Sequence, residues 1–388
     1  MLTALVAALV LAAPYWLFVP ARLRQPAVAG ASLAALATFD LRVALVVLAV
    51  AGGVFGQMRL AGRGRQGVSV AFALLGLCAL ALLFVWNKRA APGSGPLPSQ
   101  PGVALLGTSY LVLKAAGLLI ETAREPAYRG SFAEVLGWLV FLPTFPSGPM
   151  EDFEHFRTQR PAFDQVRVFG GLERILIGLL KAIVGAEQLG RWAAPIVASP
   201  HEHGAGMLLL ALYAVTVRFY LDFSGFSDVA IGLGALFGYE IEENFDHPLV
   251  RRNLTQLWQR WHMTLTRWLR LYLFVPVTRA LMRHDVGDRP AAATGQLAAM
   301  IFCGLWHGLQ WNFVVWGLLN GLGLVWVGIL ARDLGRRLPG TVVRWWRQSV
   351  VAYTISMALT FNVFALFVIF VVTDVPGAVA YLRRLVGA

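Results

Sequence analysis

The sequence predicts an all-α polytopic membrane protein with about ten membrane-spanning helices. Only 14% of its 388 residues are charged, against about 25% in soluble domains. Hydrophobic residues make up 57% of the chain and are grouped into long runs. Residues 291–331 contain no Asp, Glu, Lys or Arg. Because one pass needs roughly 20 apolar residues, this run alone is long enough for two passes.

The net charge of +12 fits the same class of protein. Arginine and lysine are gathered in short segments between apolar runs, which predicts cytoplasmic loops that also contact anionic lipid head groups. Since no basic stripe lies outside this membrane pattern, a nucleic-acid partner is not expected. The basic clusters are Arg59 with Arg63 and Arg65, Lys88 with Arg89, and Arg332 with Arg336 and Arg337.

The organisation along the chain favours one membrane-embedded domain over residues 1–388. No positive residue precedes the first apolar run, which predicts a retained first span with its N-terminus outside. Asp40 and Arg42 interrupt the second apolar stretch and indicate a turn between helices. The one clear loop is the Pro-, Gly- and Ser-rich segment 90–101. The two cysteines, Cys78 and Cys303, lie in apolar runs, so neither a disulfide scaffold nor a cysteine-based metal site is expected.

The longest polar stretch, residues 240–272, predicts an amphipathic helix at the membrane interface. Its apolar residues recur every three or four positions, and arginines occupy the other faces. Trp258, Trp261 and Trp268 are expected to anchor it, and an anchoring helix without chemistry is the alternative. His262 lies within this helix.

His307 is the clearest candidate for chemistry, because polar residues inside apolar spans are costly. Gly304 and Gly308 have the spacing that lets helices approach closely, so His307 is expected to face other helices. A neutral imidazole there is able to take up a proton from a hydroxyl. Asn312 is among the polar neighbours in the run. A hydrogen-bonded core histidine is the alternative.

A second charged group lies in residues 217–228. Arg218 and Asp222 are four residues apart and are expected to pair on a helix. Ser224 and Asp228 follow within the same apolar segment. Such a group fits a water-filled cavity of an enzyme or a transporter, and equally an ion pair that fixes helix packing. The common soluble nucleophile and phosphate-binding motifs are absent from the sequence.

Several motifs in order resemble the membrane-bound O-acyltransferase family. They are Tyr-Leu-Asp-Phe-Ser-Gly-Phe-Ser-Asp-Val-Ala-Ile-Gly at 220–232, Glu-Asn-Phe at 243–245, Leu-Trp-Gln-Arg-Trp-His-Met-Thr-Leu at 257–265 and Phe-Cys-Gly-Leu-Trp-His-Gly at 302–308. Upstream, segments 107–110 and 145–150 also resemble family segments. The resemblance is closest to the bacterial branch with alginate O-acetylase and the teichoic-acid D-alanyl transferase. It covers roughly residues 100 to 330 and, by motif order, the whole chain.

This resemblance implies a ring of helices around a central tunnel, with re-entrant segments at the cytoplasmic face. It implies transfer of an acyl group, acetyl being favoured over D-alanyl, from a cytoplasmic thioester to hydroxyls of an extracytoplasmic polysaccharide or to a partner protein. The donor would be acetyl-coenzyme A or an acyl carrier protein, and no bound cofactor or metal is expected. The location implied is the cytoplasmic, or inner, membrane.

The same resemblance assigns catalysis to His307, with His262 as the supporting histidine. His307 would act as general base, and His262 would orient the thioester or stabilise its oxyanion. Arg260 would attract a negatively charged donor. The further substrate or tunnel candidates are Arg218, Asp222, Ser224, Asp228, Asn244, Trp258, Trp261, Trp306 and Asn312. A transporter or flippase, or a purely structural membrane partner, are the rival functions.

Overall fold

The computed structural model describes residues 2–64, 66–90, 105, 107–125 and 130–387. Over these residues the protein is built of helices and connecting turns, without a strand, which confirms the all-α prediction. The α-helices of the first half are α1 Leu2–Phe18, α2 Arg24–Phe39, α3 Leu41–Ala61, α4 Gln66–Ala90, α5 Thr108–Arg124, α6 Phe132–Val140, α7 Phe153–Thr158, α8 Gln165–Leu179 and α9 Glu187–Ala198. Those of the second half are α10 Ala205–Leu236, α11 Leu254–Arg260, α12 Met263–Leu269, α13 Val275–Arg283, α14 Asp288–His307, α15 Trp311–Arg337, α16 Gly340–Gln348, α17 Val350–Val372 and α18 Val375–Leu385.

Five of the described helices are long and apolar enough to cross a membrane. The other described helices fall short of the same length or hydropathy, so the count of about ten passes stays a prediction. These five segments are Leu41–Ala61, Gln66–Arg89, Ala205–Leu236, Trp311–Leu330 and Val350–Val372.

The turn predicted between the second and third helices is confirmed. Asp40 ends α2 and caps α3, where its carboxylate accepts a hydrogen bond from the backbone N–H of Arg42 at 2.9 Å. Such caps satisfy backbone donors that a helix start leaves unpaired. The predicted loop at 90–101 lies, apart from Ala90, outside the described residues, as do Arg65 and the side chain of Arg332.

The chain divides into two compact units, and the single domain expected from the sequence stays a prediction. The first unit comprises Met1–Pro92, Pro101–Leu180 and Ser224–Glu243. In it, α8 packs closely on the second half of α10. A Cβ added at Gly171 would come 2.9 Å from the carbonyl oxygen of Gly232, and one at Gly178 would come 2.5 Å from that of Gly225. Glycine is therefore required where these two backbones meet.

The described residues of the second unit lie within Lys181–Phe223 and Asn244–Ala388. Its centre is the hairpin of α14 and α15, again joined through glycines. A Cβ at Gly304 would overlap the carbonyl oxygen of Phe313, and one at Gly317 would overlap that of Met300. This contact confirms that Gly304 lies on a helix-packing face.

The stretch predicted as one amphipathic interfacial helix is instead broken into short pieces. Helix α11 ends at Arg260 and α12 begins at Met263, and a π-helical turn over Arg270–Phe274 leads into α13. Trp258 is only 5% exposed, so its predicted role as an interfacial anchor is wrong. Its indole packs inside the second unit, as described below.

Candidate active site

His262 lies at the break between α11 and α12, in a left-handed backbone conformation with φ of 44°. A residue with a Cβ rarely adopts this conformation, which costs on the order of 1–3 kcal/mol. Flanking backbone bonds hold it there. The N–H of Met263 donates to the carbonyl of Asn244 at 2.9 Å, and the N–H of Asp246 donates to the carbonyl of Arg260 at 3.0 Å. Residues 244–246 therefore hold the backbone in place on both sides of the break.

The side chain of Asn244 fixes the orientation of the His262 ring. Its Oδ1 accepts the hydroxyl of Thr264 at 2.9 Å and the backbone N–H of Thr264 at 3.4 Å. Because a backbone N–H only donates, the Asn244 atom facing it is the oxygen. The same oxygen lies 3.1 Å from Nδ1 of His262. Nδ1 therefore holds the proton, and Nε2 holds the lone pair that is able to accept one.

The surroundings of His262 keep its ring uncharged. The side chain is buried, with 2% exposure, against the ring of Phe223, whose centroid lies 4.6 Å away. Burial lowers the pKa of His262 well below its usual value of 6.5, and the nearby His307 lowers this pKa further. Desolvation disfavours a charged imidazole, so His262 is neutral at physiological pH.

His307 is the last residue of α14, at the turn into α15. Its side chain is half-buried. Its ring contacts Trp306 at 4.8 Å between centroids and Trp316 at 5.3 Å. Trp306 also lies 6.1 Å from the ring of His262, so one indole touches both histidines. The two histidines predicted to act together are thus neighbours, although 45 residues apart in sequence.

The indole of Trp316 beside His307 and the indole of Trp258 packed against it differ in their hydrogen bonding. The indole N–H of Trp258 donates to Oδ1 of Asn320 at 3.1 Å, and Asn320 in turn donates to the carbonyl of Trp316 at 2.9 Å. Among the described residues, the indole N–H of Trp316 is buried without an acceptor. A buried hydrogen-bond donor without an acceptor lowers the stability of a protein by about 1–3 kcal/mol. Such donors are rare in native structures, and a functional role is one reason for keeping them.

Three other predicted residues of the second unit have structural partners. Asn312 donates to the carbonyl of Phe370 at 2.9 Å and so ties α15 to α17. Trp261 packs on Phe364 with ring centroids 5.2 Å apart. Arg260 is exposed and forms an ion pair with Asp246. Its predicted attraction of an anionic donor is therefore weakened by a carboxylate that it already neutralises.

The predicted pair of Arg218 and Asp222 forms no salt bridge between these two described side chains, although the guanidinium is near enough to act on the carboxylate electrostatically. Asp222 is exposed, whereas Arg218 lies against α9, where a Cβ at Gly190 would meet its guanidinium. Spacing of four residues permits a pair on a helix but does not compel one, and here tertiary packing takes Arg218 elsewhere.

In the first unit, Asp228 pairs with a residue that the sequence did not single out. Nε of Arg174 lies 2.7 Å from the carboxylate of Asp228, and the same guanidinium binds Glu243 at 2.6 Å. Arg174 lies between Gly171 and Gly178, on the face of α8 that meets α10. Ser224 of the same unit is buried, and its hydroxyl has no partner among the described residues.

Sequence reasoning missed Arg174 and Trp316 for different reasons. Arg174 is 54 residues from Asp228, so no local spacing relates them. The glycines on either side of Arg174 were the available signal of a close helix contact. Trp316 is one of 13 tryptophans, and only the structure distinguishes its unsatisfied N–H from the others.

The helices and the site together define a membrane-embedded protein whose second unit holds a pair of neighbouring histidines among aromatic rings. Comparison with family models is consistent with that class. Residues 69–371 match the model of MBOAT, the membrane-bound O-acyltransferase family. The chain therefore belongs to this family and is a multi-pass membrane protein.

Individual relatives show the branch within the family. The chain is 29% identical over 238 residues to a teichoic acid D-alanyltransferase of Streptococcus thermophilus, a match covering 58% of this chain and 57% of the relative. It is 30% identical over 225 residues to a probable alginate O-acetylase of Azotobacter vinelandii, covering 56% and 43%. A peptidoglycan O-acetyltransferase of Helicobacter pylori is 29% identical over 202 residues, covering 50% and 37%.

These relatives confirm the bacterial branch predicted from the motifs. The chain spans about half the length of the curated relatives that it matches. The activity, substrates and partners of the whole protein are therefore taken up as proposals.

Proposed function

We propose that this protein is an O-acyltransferase of the cytoplasmic membrane that transfers an acetyl group. The donor is a cytoplasmic thioester, acetyl-coenzyme A or an acylated carrier protein, and the acceptor is a hydroxyl of an extracytoplasmic polysaccharide or of a partner protein. The observation that carries the proposal is the histidine pair, in which a neutral His262 is held in one tautomer by Asn244 beside His307. Acetyl is favoured because two of the three relatives described above are named as O-acetylating enzymes.

In the proposed reaction, His307 is the general base. Its imidazole takes the proton of the acceptor hydroxyl while the hydroxyl oxygen attacks the acyl carbonyl carbon. The new C–O bond forms, the C–S bond of the thioester breaks, and the leaving thiolate receives the proton. The C-terminal end of α14, where His307 lies, stabilises the positive charge that the imidazole acquires. General-base catalysis of this kind contributes typically ~10²–10⁴-fold.

His262 supports this reaction by orientation. With its proton held on Nδ1 by Asn244, its Nε2 accepts a hydrogen bond and so aligns a hydroxyl or N–H group in the site. The oxyanion role considered from the sequence requires a donor at Nε2, which the neutral ring lacks.

A D-alanyl transfer is the second candidate, favoured by the relatives named teichoic acid D-alanyltransferase. The chemistry of the thioester and the hydroxyl is the same, so the histidine pair serves either acyl group. The transporter alternative rested on a polar pathway through Arg218, Asp222 and Asp228. Its support is weaker now that Asp228 is held by Arg174.

The test is thiol release from defined donors. Purified protein in lipid vesicles is given radiolabelled acetyl-coenzyme A, or a D-alanyl carrier-protein thioester, with a soluble polysaccharide as acceptor. We expect free thiol and labelled ester to appear together from one donor. Movement of label into the vesicles without thiol release would support a transporter and contradict the proposal.

A further inference from the structure

The proposed reaction places negative charge on the acyl carbonyl oxygen as the hydroxyl attacks. Enzymes of acyl transfer stabilise this oxygen with hydrogen-bond donors that are already in place. Neutral His262 has its only N–H engaged with Asn244. A donor for the oxygen therefore has to come from another residue near His307.

Trp316 has the properties of such a donor. Its side chain is 5% exposed, and its indole N–H has no acceptor among the described residues. Its ring lies perpendicular to that of His307, at 88°, with centroids 5.3 Å apart. This ring contact provides no hydrogen-bond acceptor for the indole N–H, so the donor is available for an oxygen.

The neighbouring residues hold the Trp316 indole in position. On one side it packs against Trp258, with centroids 5.8 Å apart, and the N–H of Trp258 is itself satisfied by Asn320. The side-chain amide of Asn320 also binds the Trp316 carbonyl. The glycine contacts between α14 and α15 set the distance between the two helices that present His307 and Trp316. These contacts hold the indole where its N–H stays unsatisfied. In most proteins a buried N–H group is hydrogen-bonded.

We infer that Trp316 is a further catalytic residue, whose indole N–H donates to the acyl carbonyl oxygen of the thioester and to the oxyanion formed during transfer. This inference rests on the proposed function. Because the hydrogen bond strengthens as charge develops, its loss lowers kcat more than it raises KM. Removal of one such donor typically lowers kcat by about 10²-fold or more.

The experiment removes the N–H without changing the shape of the ring. The tryptophan analogue 3-benzothienylalanine, which has sulfur in place of N–H, is incorporated singly at position 316, at position 258 and at the exposed Trp345 of α16. Trp316→Phe is made in parallel. Turnover of labelled acyl thioester and thermal stability in detergent are measured for each protein.

At position 316 we expect kcat to fall by ~10²-fold, with thermal stability unchanged or raised, because a donor without a partner has been removed. At position 258 we expect thermal stability to fall, because Asn320 loses its partner there. At position 345 neither quantity changes. Analogue-substituted protein at position 316 with at least half the wild-type kcat would overturn the inference, while the proposed function would stand. Wild-type protein without turnover would overturn both.

Discussion

At the scale of single residues, the functional properties of the site depend on Asn244. Its side-chain oxygen accepts hydrogen bonds from His262 and from both the hydroxyl and the backbone N–H of Thr264. Its backbone carbonyl accepts a hydrogen bond from the N–H of Met263. The tautomer and the ring orientation of His262 both follow from this one residue. Groups that orient a catalytic imidazole typically matter by about 10–100-fold.

Replacement of Asn244 by alanine should therefore lower turnover of acyl thioester by about 10–100-fold. The matched control is Thr264→Val, which removes one donor to the same oxygen and leaves the bond to His262 in place. Its turnover should stay within a few-fold of wild type. Equal losses in the two variants would show that Asn244 acts through general packing and not through the histidine.

The buried neutral state of His262 predicts the sign of a pH effect on stability. The pKa of His262 is lowered in the folded protein, mainly by burial, so as the pH falls below 6.5 the unfolded chain binds up to one more proton than the folded chain. Stability contributed by the neutral ring is present above this value and is lost as the pH falls toward the folded pKa. A difference of one bound proton between the two states changes the free energy of unfolding by about 1.4 kcal/mol per pH unit.

The measurement is the midpoint of thermal unfolding in detergent between pH 7.5 and 5.5. Wild-type protein should lose more stability over this range than His262→Gln, since glutamine does not titrate. Parallel curves for the two proteins would contradict a lowered pKa at His262.

Much of the residue-scale picture was accessible from the sequence, but not the geometry of His262. The motif singled out both histidines and Asn244. The three-to-four-residue spacing of Leu257, Trp261 and Leu265 runs unbroken through His262, so periodicity predicts one continuous helix. The break arises from hydrogen bonds to segment 244–246, about 18 residues earlier in the chain, and no local pattern reports those bonds.

At the scale of elements, the hairpin of α14 and α15 positions the site. The apolar run 291–331 was long enough for two passes. In the structure it forms parts of two helices, which are separated by a short turn at Gly308 to Gln310. The sequence also indicated Gly304 as a packing residue. It did not indicate that α14 ends at His307, because Gly308, which caps that end, was interpreted as a helix-packing glycine and not as a stop signal.

Gly304→Ala should destabilise the protein by about 1–3 kcal/mol, because the added methyl group overlaps the Phe313 carbonyl. It should also lower turnover strongly, since a displacement of about 1 Å costs on the order of 10²-fold. The control is Gly53→Ala in α3, where a Cβ meets nothing within 4 Å. That change should be neutral or slightly stabilising. Unaltered unfolding temperature and turnover in Gly304→Ala would contradict the close contact.

At the scale of the whole molecule, composition and apolar run length predicted the membrane class, and the family match over residues 69–371 agrees with it. Long-range pairing was less accessible. The sequence favoured the local pair Arg218 with Asp222, whereas Asp228 is bound by Arg174 from another helix. Ion pairs between distant segments depend on which helix faces meet, and helix spacing within one segment does not determine this.

The distribution of arginine predicts the topology, with the loop after α3 and the loop after α15 both facing the cytoplasm. The test is single-cysteine labelling at Arg63→Cys and at Arg337→Cys, in protein that lacks Cys78 and Cys303. Neither position should react with an impermeant thiol reagent added outside intact cells, and both should react after permeabilisation. Labelling of either position in intact cells would require the topology to be revised.

The central claim is that His307 is the base of an acyl transfer, and His307→Gln tests it most directly. Glutamine keeps a hydrogen-bonding side chain of similar size but does not accept a proton from a hydroxyl at neutral pH. Turnover of labelled acyl thioester in vesicles is measured beside a size-exclusion profile that shows intact folding. The account predicts a well-folded protein with turnover reduced by at least ~10²-fold. A well-folded His307→Gln protein with near-normal turnover would contradict it.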